Sequence, residues 1–311
     1  MNTLCRAVLV VALSFALLGQ NQNAKVAPAD TQDKTRITLD VSRVNMLYTV
    51  SDKKGRFVTD LTKNDFEVFE GKKPQSILEF TAESDLPLRL AILIDTSNSI
   101  RERFHFQQEA ATAFVDDTVR PRQDKALIVS FDTSAELVAD LTDDVDELEK
   151  AIESLRPGGG TSLYDAIFFA CRDKLMQDQP LYKFRRAMVI LSDGEDNQSR
   201  YTRDQALEMA QKADVTIYTI STNITRIETE GDKVLRYFAE ETGGQSFFPF
   251  KASDLNQSFE NIANELRHQY NIFYRPDPLR TDGLYHTVNI RVKGHKDLIV
   301  RARKGYYAPK L

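Results

Sequence analysis

The sequence predicts an α/β protein: a doubly wound, mostly parallel, Rossmann-like sheet, accompanied by a small β-sandwich built from the segments on either side of it. Two observations carry this. Short continuous apolar runs, LRLAILI, ALIVSF, RRAMVIL and VTIYTI, alternate with stretches of helical periodicity between residues 86 and 266. A strand that is apolar on both faces belongs in a parallel sheet covered by helices on both sides. Before and after that region, apolar and polar residues alternate with period two, the pattern of half-buried strands.

The whole chain sets the outer limits. Its 311 residues suffice for one large domain or two ordinary ones. With 41% hydrophobic and 28% charged residues, no long run of one charge sign and a net charge of −5, it lacks the electrostatic footprint of a nucleic-acid or anionic-lipid binder. At the N-terminus Arg6 precedes an apolar stretch from Ala7 to Leu18, followed by the polar GQNQNAKVAPAD. That stretch is short for a membrane span and fits the apolar core of an export signal. Residues 1–24 are therefore expected to be a signal peptide and residues 25–35 a linker, with Ala27-Pro28-Ala29 a later cleavage candidate. The mature protein is expected in the periplasm or outside the cell, without stable membrane insertion. Cys5 precedes the apolar stretch and cannot be a lipid-bearing cysteine. Cys171 shares a four-residue spacing with Leu163, Ile167 and Leu175, so it reads as a packed helical thiol.

The elements follow in order. In the segment 36–85, Ile37, Leu39 and Val41 alternate, then Val44, Met46, Tyr48 and Val50 continue in the opposite phase, which implies a bulge near Ser42-Arg43. Turn signals at Asp52-Lys53-Lys54-Gly55, Thr62-Lys63-Asn64-Asp65 and Glu70-Gly71 separate short strands. Across 86–266, the strand LRLAILID leads to a helix from Ile100 to Val119, stopped by Pro121. ALIVSF and the edge strand AELVADL come next, then a helix capped by Thr142 and running to Leu155. The loop Pro157-Gly158-Gly159-Gly160-Thr161 opens the helix of Cys171. RRAMVILSDG, a helix over 203–213, VTIYTIS, and helices near 232–242 and 254–266 complete the alternation, with a short strand around Ser246–Pro249. In 267–311 the alternation returns at Tyr270, Ile272 and Tyr274, at Val288, Ile290 and Val292, and at Leu298, Val300 and Ala302. Each flank is small for an independent sheet, so the two are expected to share one sandwich.

Three loops concentrate oxygen donors, and each leaves the C-terminal end of a strand, the edge where open α/β sheets collect ligands. They hold Asp95, Ser97 and Ser99 in DTSNS, Thr161 after the glycines, and Asp193 in Ser192-Asp193-Gly194. Two carboxylates and three hydroxyls suit a hard cation, Mg²⁺ or alternatively Mn²⁺ or Ca²⁺, and no Cys or His lies in these loops to favour a soft metal. Five donors leave a coordination position for an outside carboxylate. Taken singly, DTSNS and Gly-Thr also fit helix caps and Asp193-Gly194 a turn; the combination points to a cation site.

The combination resembles the von Willebrand factor A-type domain, whose metal-ion-dependent adhesion site reads Asp-x-Ser-x-Ser, then Thr, then Asp. Asp95, Ser97, Ser99, Thr161 and Asp193 match it without departure, and the resemblance extends over roughly residues 88–266. It implies hydroxyls that contact the cation directly, carboxylates that can act through water, and a last ligand supplied by a Glu or Asp of a protein partner. The flanking VTDLTKNDFEVFEGKKPQ and ARKGYYAP resemble bacterial, acidobacterial-type proteins related to this domain. A binding module rather than an enzyme is thus expected. The rivals are a Mg²⁺-dependent phosphohydrolase of haloacid-dehalogenase type and a structural subunit with a stabilising cation. The first needs a carboxylate where this chain has Ser97. His105, His268, His286 and His295 are scattered away from the strand-end loops and offer no triad.

Overall fold

The computed structural model describes residues 43–82, 86–223, 225, 227–249 and 252–310. The expected signal peptide, the linker, the first alternating stretch and Ser42 of the expected bulge lie outside them. The N-terminal flank supplies β1 (Val44–Ser51), β2 (Phe66–Glu70), β3 (Lys73–Gln75) and β4 (Ile77–Thr81). The central region supplies β5 (Leu88–Asp95), β6 (Lys125–Phe131), β7 (Ala135–Thr142), β8 (Arg185–Ser192), β9 (Val215–Ser221) and β10 (Ser246–Phe247). With them come α1 (Phe104–Thr118), α2 (Val145–Ser154), α3 (Leu163–Phe169), α4 (Arg203–Lys212), α5 (Glu230–Thr242) and α6 (Ala252–Arg267). β11 (Tyr270–Tyr274), β12 (Tyr285–Val292), β13 (Ile299–Ala302) and β14 (Gly305–Tyr307) form the C-terminal flank.

The central sheet has the order β10-β9-β8-β5-β6-β7. All its pairings are parallel except β6 with the edge strand β7. Every residue of β5 and of β8 is buried, as the continuous apolar runs require. Leu90, Ile92 and Ile94 face Phe114, Leu148 and Phe259, from α1, α2 and α6. Ala91 and Leu93 face the other way, towards Leu163, Ile167, Cys171 and Phe238. The expected stripe of Leu163, Ile167, Cys171 and Leu175 is fully buried, and burial raises the Cys171 thiol pKa.

Two helix starts differ from expectation. α1 begins at Phe104 rather than Ile100, because a 3₁₀ turn over Asn98–Ile100 and a further turn, with Arg103 N donating to Ile100 O at 3.0 Å, hold the chain close to the end of β5. α2 is capped by Asp144, whose carboxylate accepts from Glu147 N at 3.2 Å, rather than by Thr142. Thr142 is still paired with Ala126 in the sheet, and its hydroxyl accepts from Asp144 N at 3.1 Å.

The two flanks interleave in one sandwich. One sheet runs β13-β1-β11-β4 and the other β14-β12-β2-β3, so each contains strands from both ends of the chain. Tyr48 stands opposite Tyr270, and Val68 opposite Ile290. Between the sheets lie Met46, Tyr48, Val50, Phe66, Val68, Tyr270, Ile272 and Ile290. Tyr48 meets Phe66 edge-on at 5.2 Å, an arrangement that suits the ring quadrupoles. A polar seam joins the sandwich to the α/β unit. Glu265 of α6, only 2% exposed, accepts from Thr49 Oγ1 at 3.1 Å and from Arg301 Nη2 at 3.2 Å, and Arg303 pairs with Asp214 at 2.7 Å. Among the described residues no helix is long and apolar enough to cross a membrane.

Candidate metal centre

β5 and β8 are parallel neighbours with Ile94 level with Leu191, so the residues that follow, Asp95 and Ser192, emerge side by side. Ser192 Oγ donates to Asp95 Oδ2 at 2.7 Å, and Ser97 N donates to Asp95 Oδ1 at 2.8 Å. Both oxygens of this fully buried carboxylate are thereby fixed in direction. One residue beyond Ser192, Asp193 Oδ2 accepts from Ser99 Oγ at 2.7 Å, and Ser99 Oγ lies 2.9 Å from Ser97 Oγ. A chain of oxygens thus runs from Ser97 through Ser99 to Asp193, beside Asp95.

The third loop arrives through its backbone. Gly158 N donates to Thr96 O at 2.6 Å, and the Asn98 side chain donates to Gly159 O at 3.2 Å. Thr161 follows, 4% exposed, with its amide held by Asn197 Oδ1 at 3.1 Å. Its hydroxyl takes no hydrogen-bond partner among the described residues. Hydrogen bonds therefore link Asp95, Ser97, Ser99 and Asp193 directly, whereas Thr161 reaches them only through its loop. Ser192 and Asn197, which hold Asp95 and Thr161, do not stand out as functional in the sequence. The level ends of β5 and β8 are the signal that finds Ser192.

Charge is left uncompensated here. Burial lifts the Asp95 carboxyl pKa to about 6; hydrogen bonds from Ser97 and Ser192 oppose the rise, and neighbouring Asp193 adds to it. Among the described residues neither Asp95 nor Asp193 has a Lys, Arg or His counter-ion. A hydroxyl can offer a lone pair to a cation while its proton goes to a carboxylate, and Ser99 already points its proton at Asp193. The set fits a hard divalent cation. No group of three or more His, Cys, Asp or Glu placed to hold a metal occurs among the described residues.

An open α/β sheet with oxygen donors gathered across the C-terminal ends of its two central strands places this candidate centre at the edge where such sheets collect ligands. Residues 90–195 match the von Willebrand factor type A domain, and the chain carries a domain of that kind. Among solved structures, a von Willebrand factor type A protein from Catenulispora acidiphila aligns with a TM-score of 0.50 at 14% identity, over 78% of this chain and 75% of that one. Proximal thread matrix protein 1 from the mussel byssus, solved with a zinc-occupied MIDAS motif, aligns with a TM-score of 0.50 at 17% identity, over 63% of this chain and 49% of that one. The D319A mutant of the PilB minor pilin from Streptococcus sanguinis gives 0.48 at 14% identity, over 60% of this chain and 62% of that one. The chain thus spans less than two thirds of the pilin and about half of the byssus protein. No curated protein matches the sequence.

Proposed function

We propose that this protein is a metal-ion-dependent binding module that captures an exposed Asp or Glu of a partner protein through a Mg²⁺-type cation held by Asp95, Ser97, Ser99, Thr161 and Asp193. The observation that carries the reading is the oxygen chain Ser97–Ser99–Asp193 beside the buried Asp95, with no cationic side chain among the described residues pairing with either carboxylate. A bound cation would supply a positive charge able to take a carboxylate oxygen from outside. The chain's own residues do the rest: Ser192 and the Ser97 amide aim Asp95, and Ser99 donates its hydroxyl hydrogen to Asp193, which leaves one Ser99 lone pair for the cation beside the one facing Ser97. On this reading the α/β unit, residues 86–266, presents the centre and the sandwich of 36–85 and 267–311 carries it. The whole is exported behind the 1–24 signal. A phosphohydrolase is disfavoured because Ser97, buried and committed to Ser99, stands where that chemistry needs a second carboxylate.

The test is capture of partners from cell extract in Mg²⁺ and in EDTA, with wild type, Asp95→Ala and Thr161→Ala. Capture that requires Mg²⁺ and is lost in both variants, with unchanged far-UV spectra, is the expected result. Equal capture in EDTA sinks the reading, and a phosphatase activity lost in Asp95→Ala would replace it.

A further inference from the structure

The chain between β11 and β12, residues 275–284, crosses the end of the sandwich as a strap tied down on both sides. Towards β3, Lys73 Nζ donates to Asp277 Oδ2 at 2.8 Å, and the Gln75 side chain exchanges two hydrogen bonds with the Asp277 backbone, at 2.9 and 3.3 Å. On the other side Arg280 Nε donates to Glu70 Oε1 at 3.0 Å. Glu70 ends β2 and is only 6% exposed; its second oxygen accepts from the hydroxyls of Tyr274 and Tyr306, each at 3.2 Å. Burial raises both tyrosine pKa values, so both remain donors. His286 of β12 lies between two carboxylates. Its Nε2 is 2.9 Å from Asp282 Oδ1 and 3.1 Å from Oδ2, and its Nδ1 is 3.9 Å from Glu70 Oε1.

The groups that face His286 set what its protonation does. β2 contributes Glu70, the strap Arg280 and Asp282, and β14 the Tyr306 ring, 5.8 Å away between centroids. Lys310 is exposed and passes Gly283 with its aliphatic stem. A neutral imidazole leaves Arg280 facing two carboxylates, whereas an imidazolium gives two charges of each sign. The Asp282 carboxyl is held below the usual carboxylate range, first by the hydrogen bond from His286 and then by that from Leu284 N, so it stays charged in mild acid. Imidazole is the side chain that ordinarily changes charge between pH 5 and 8.

We infer that His286 is a catch whose protonation tightens the 275–284 strap over the end of the sandwich, and that the strap slackens as the solution passes from mild acid to neutrality. In acid the charged ring pulls on a carboxylate of the strap, Asp282, and on one of the body, Glu70. Once neutral it donates to one of them only. Below the carboxylate range the grip is lost again, because Asp282 is then protonated. Leu279 and Leu284, 44% and 62% exposed, ride on the strap, so its slackening moves an apolar edge of the molecule. The catch is separate from the cation centre and holds whether or not a cation binds there.

The test is amide hydrogen exchange on the full chain at about pH 5.5 and about pH 7.5, corrected for the intrinsic effect of pH, for wild type, His286→Gln and Asp282→Asn. In wild type the amides of residues 277–284, and that of Ala308, which donates to Leu284 O at 2.9 Å, are expected to be roughly two- to fivefold better protected in acid, the scale of a partly exposed ion pair. His286→Gln keeps a donor towards Asp282 but gains no charge, so its protection is expected to be the same at both pH values. Asp282→Asn is expected to lose most of the difference. Equal protection at both pH values in wild type overturns the inference. So does a difference that survives in His286→Gln, since the titrating group would then lie elsewhere. Asp282 is exposed, so its variant keeps the test open should His286→Gln unfold, and a full difference there likewise overturns the catch.

Discussion

Gly194 and Gly231 lie backbone against backbone, so closely that a Cβ on Gly194 would sit 2.1 Å from the Gly231 carbonyl oxygen. A Cβ on Gly231 would sit 2.1 Å from the carbonyl oxygen of Asp193. Gly194 also has φ of 81°, a conformation that only glycine adopts without strain. The start of α5 is thus the stop against which the Asp193 loop rests. Gly231→Ala is expected to push Asp193 out of reach of Ser99 and to abolish Mg²⁺ binding by calorimetry, alongside a lower melting temperature.

Ser192 acts through Asp95. Ser192→Ala removes the donor at 2.7 Å that fixes Asp95 Oδ2, and leaves the hydrophobic packing of β8 intact. Mg²⁺ affinity should fall by about 10- to 100-fold, the usual effect of removing an outer partner of a metal ligand. An unchanged dissociation constant would show that the Ser97 amide alone suffices to aim Asp95.

Removing the metal has a thermal signature. Saturation at a hundredfold excess over the dissociation constant stabilises the folded state by about 2.7 kcal/mol. Melting temperature is therefore expected to rise with Mg²⁺ in wild type and to be indifferent to Mg²⁺ in Asp95→Ala.

The seam between the two halves responds to pH. Burial raises the Glu265 pKa, and Arg301 pulls it back. Since the folded value lies above the unfolded one, this group favours the folded state in acid, and that contribution is lost as pH rises through the folded value. Arg301→Met leaves a buried carboxylate without its counter-ion and should cost about 3 kcal/mol near neutrality. Denaturant melts should show the deficit shrinking as the pH approaches the carboxylate range. A deficit constant with pH would mean that Arg301 contributes packing alone.

Much of this is legible in the sequence, for local reasons. The runs around Leu90–Ile94 and Met188–Leu191 read as buried strands because burial on both faces leaves no room for polar residues. Asp95 and Asp193 are visible because each closely follows such a run. What stays hidden depends on which strands are neighbours. Ser192 gains its role only because β8 lies beside β5, and Gly231 only because α5 begins over the Asp193 loop. The start of α1 departs from expectation because turns over 98–103 carry residues that would serve equally well in a helix.

The two crossings between the α/β unit and the sandwich lie next to each other, since Thr81, where β4 ends, pairs with Asn271, near the start of β11. Mechanical tension applied at the cation centre would therefore enter β4 and β11 from the same end. The rungs joining β11 to β1 would then share the load at once rather than break in succession. On the proposed reading, a partner held by one ion would pull against strands paired side by side rather than against a single rung at a time.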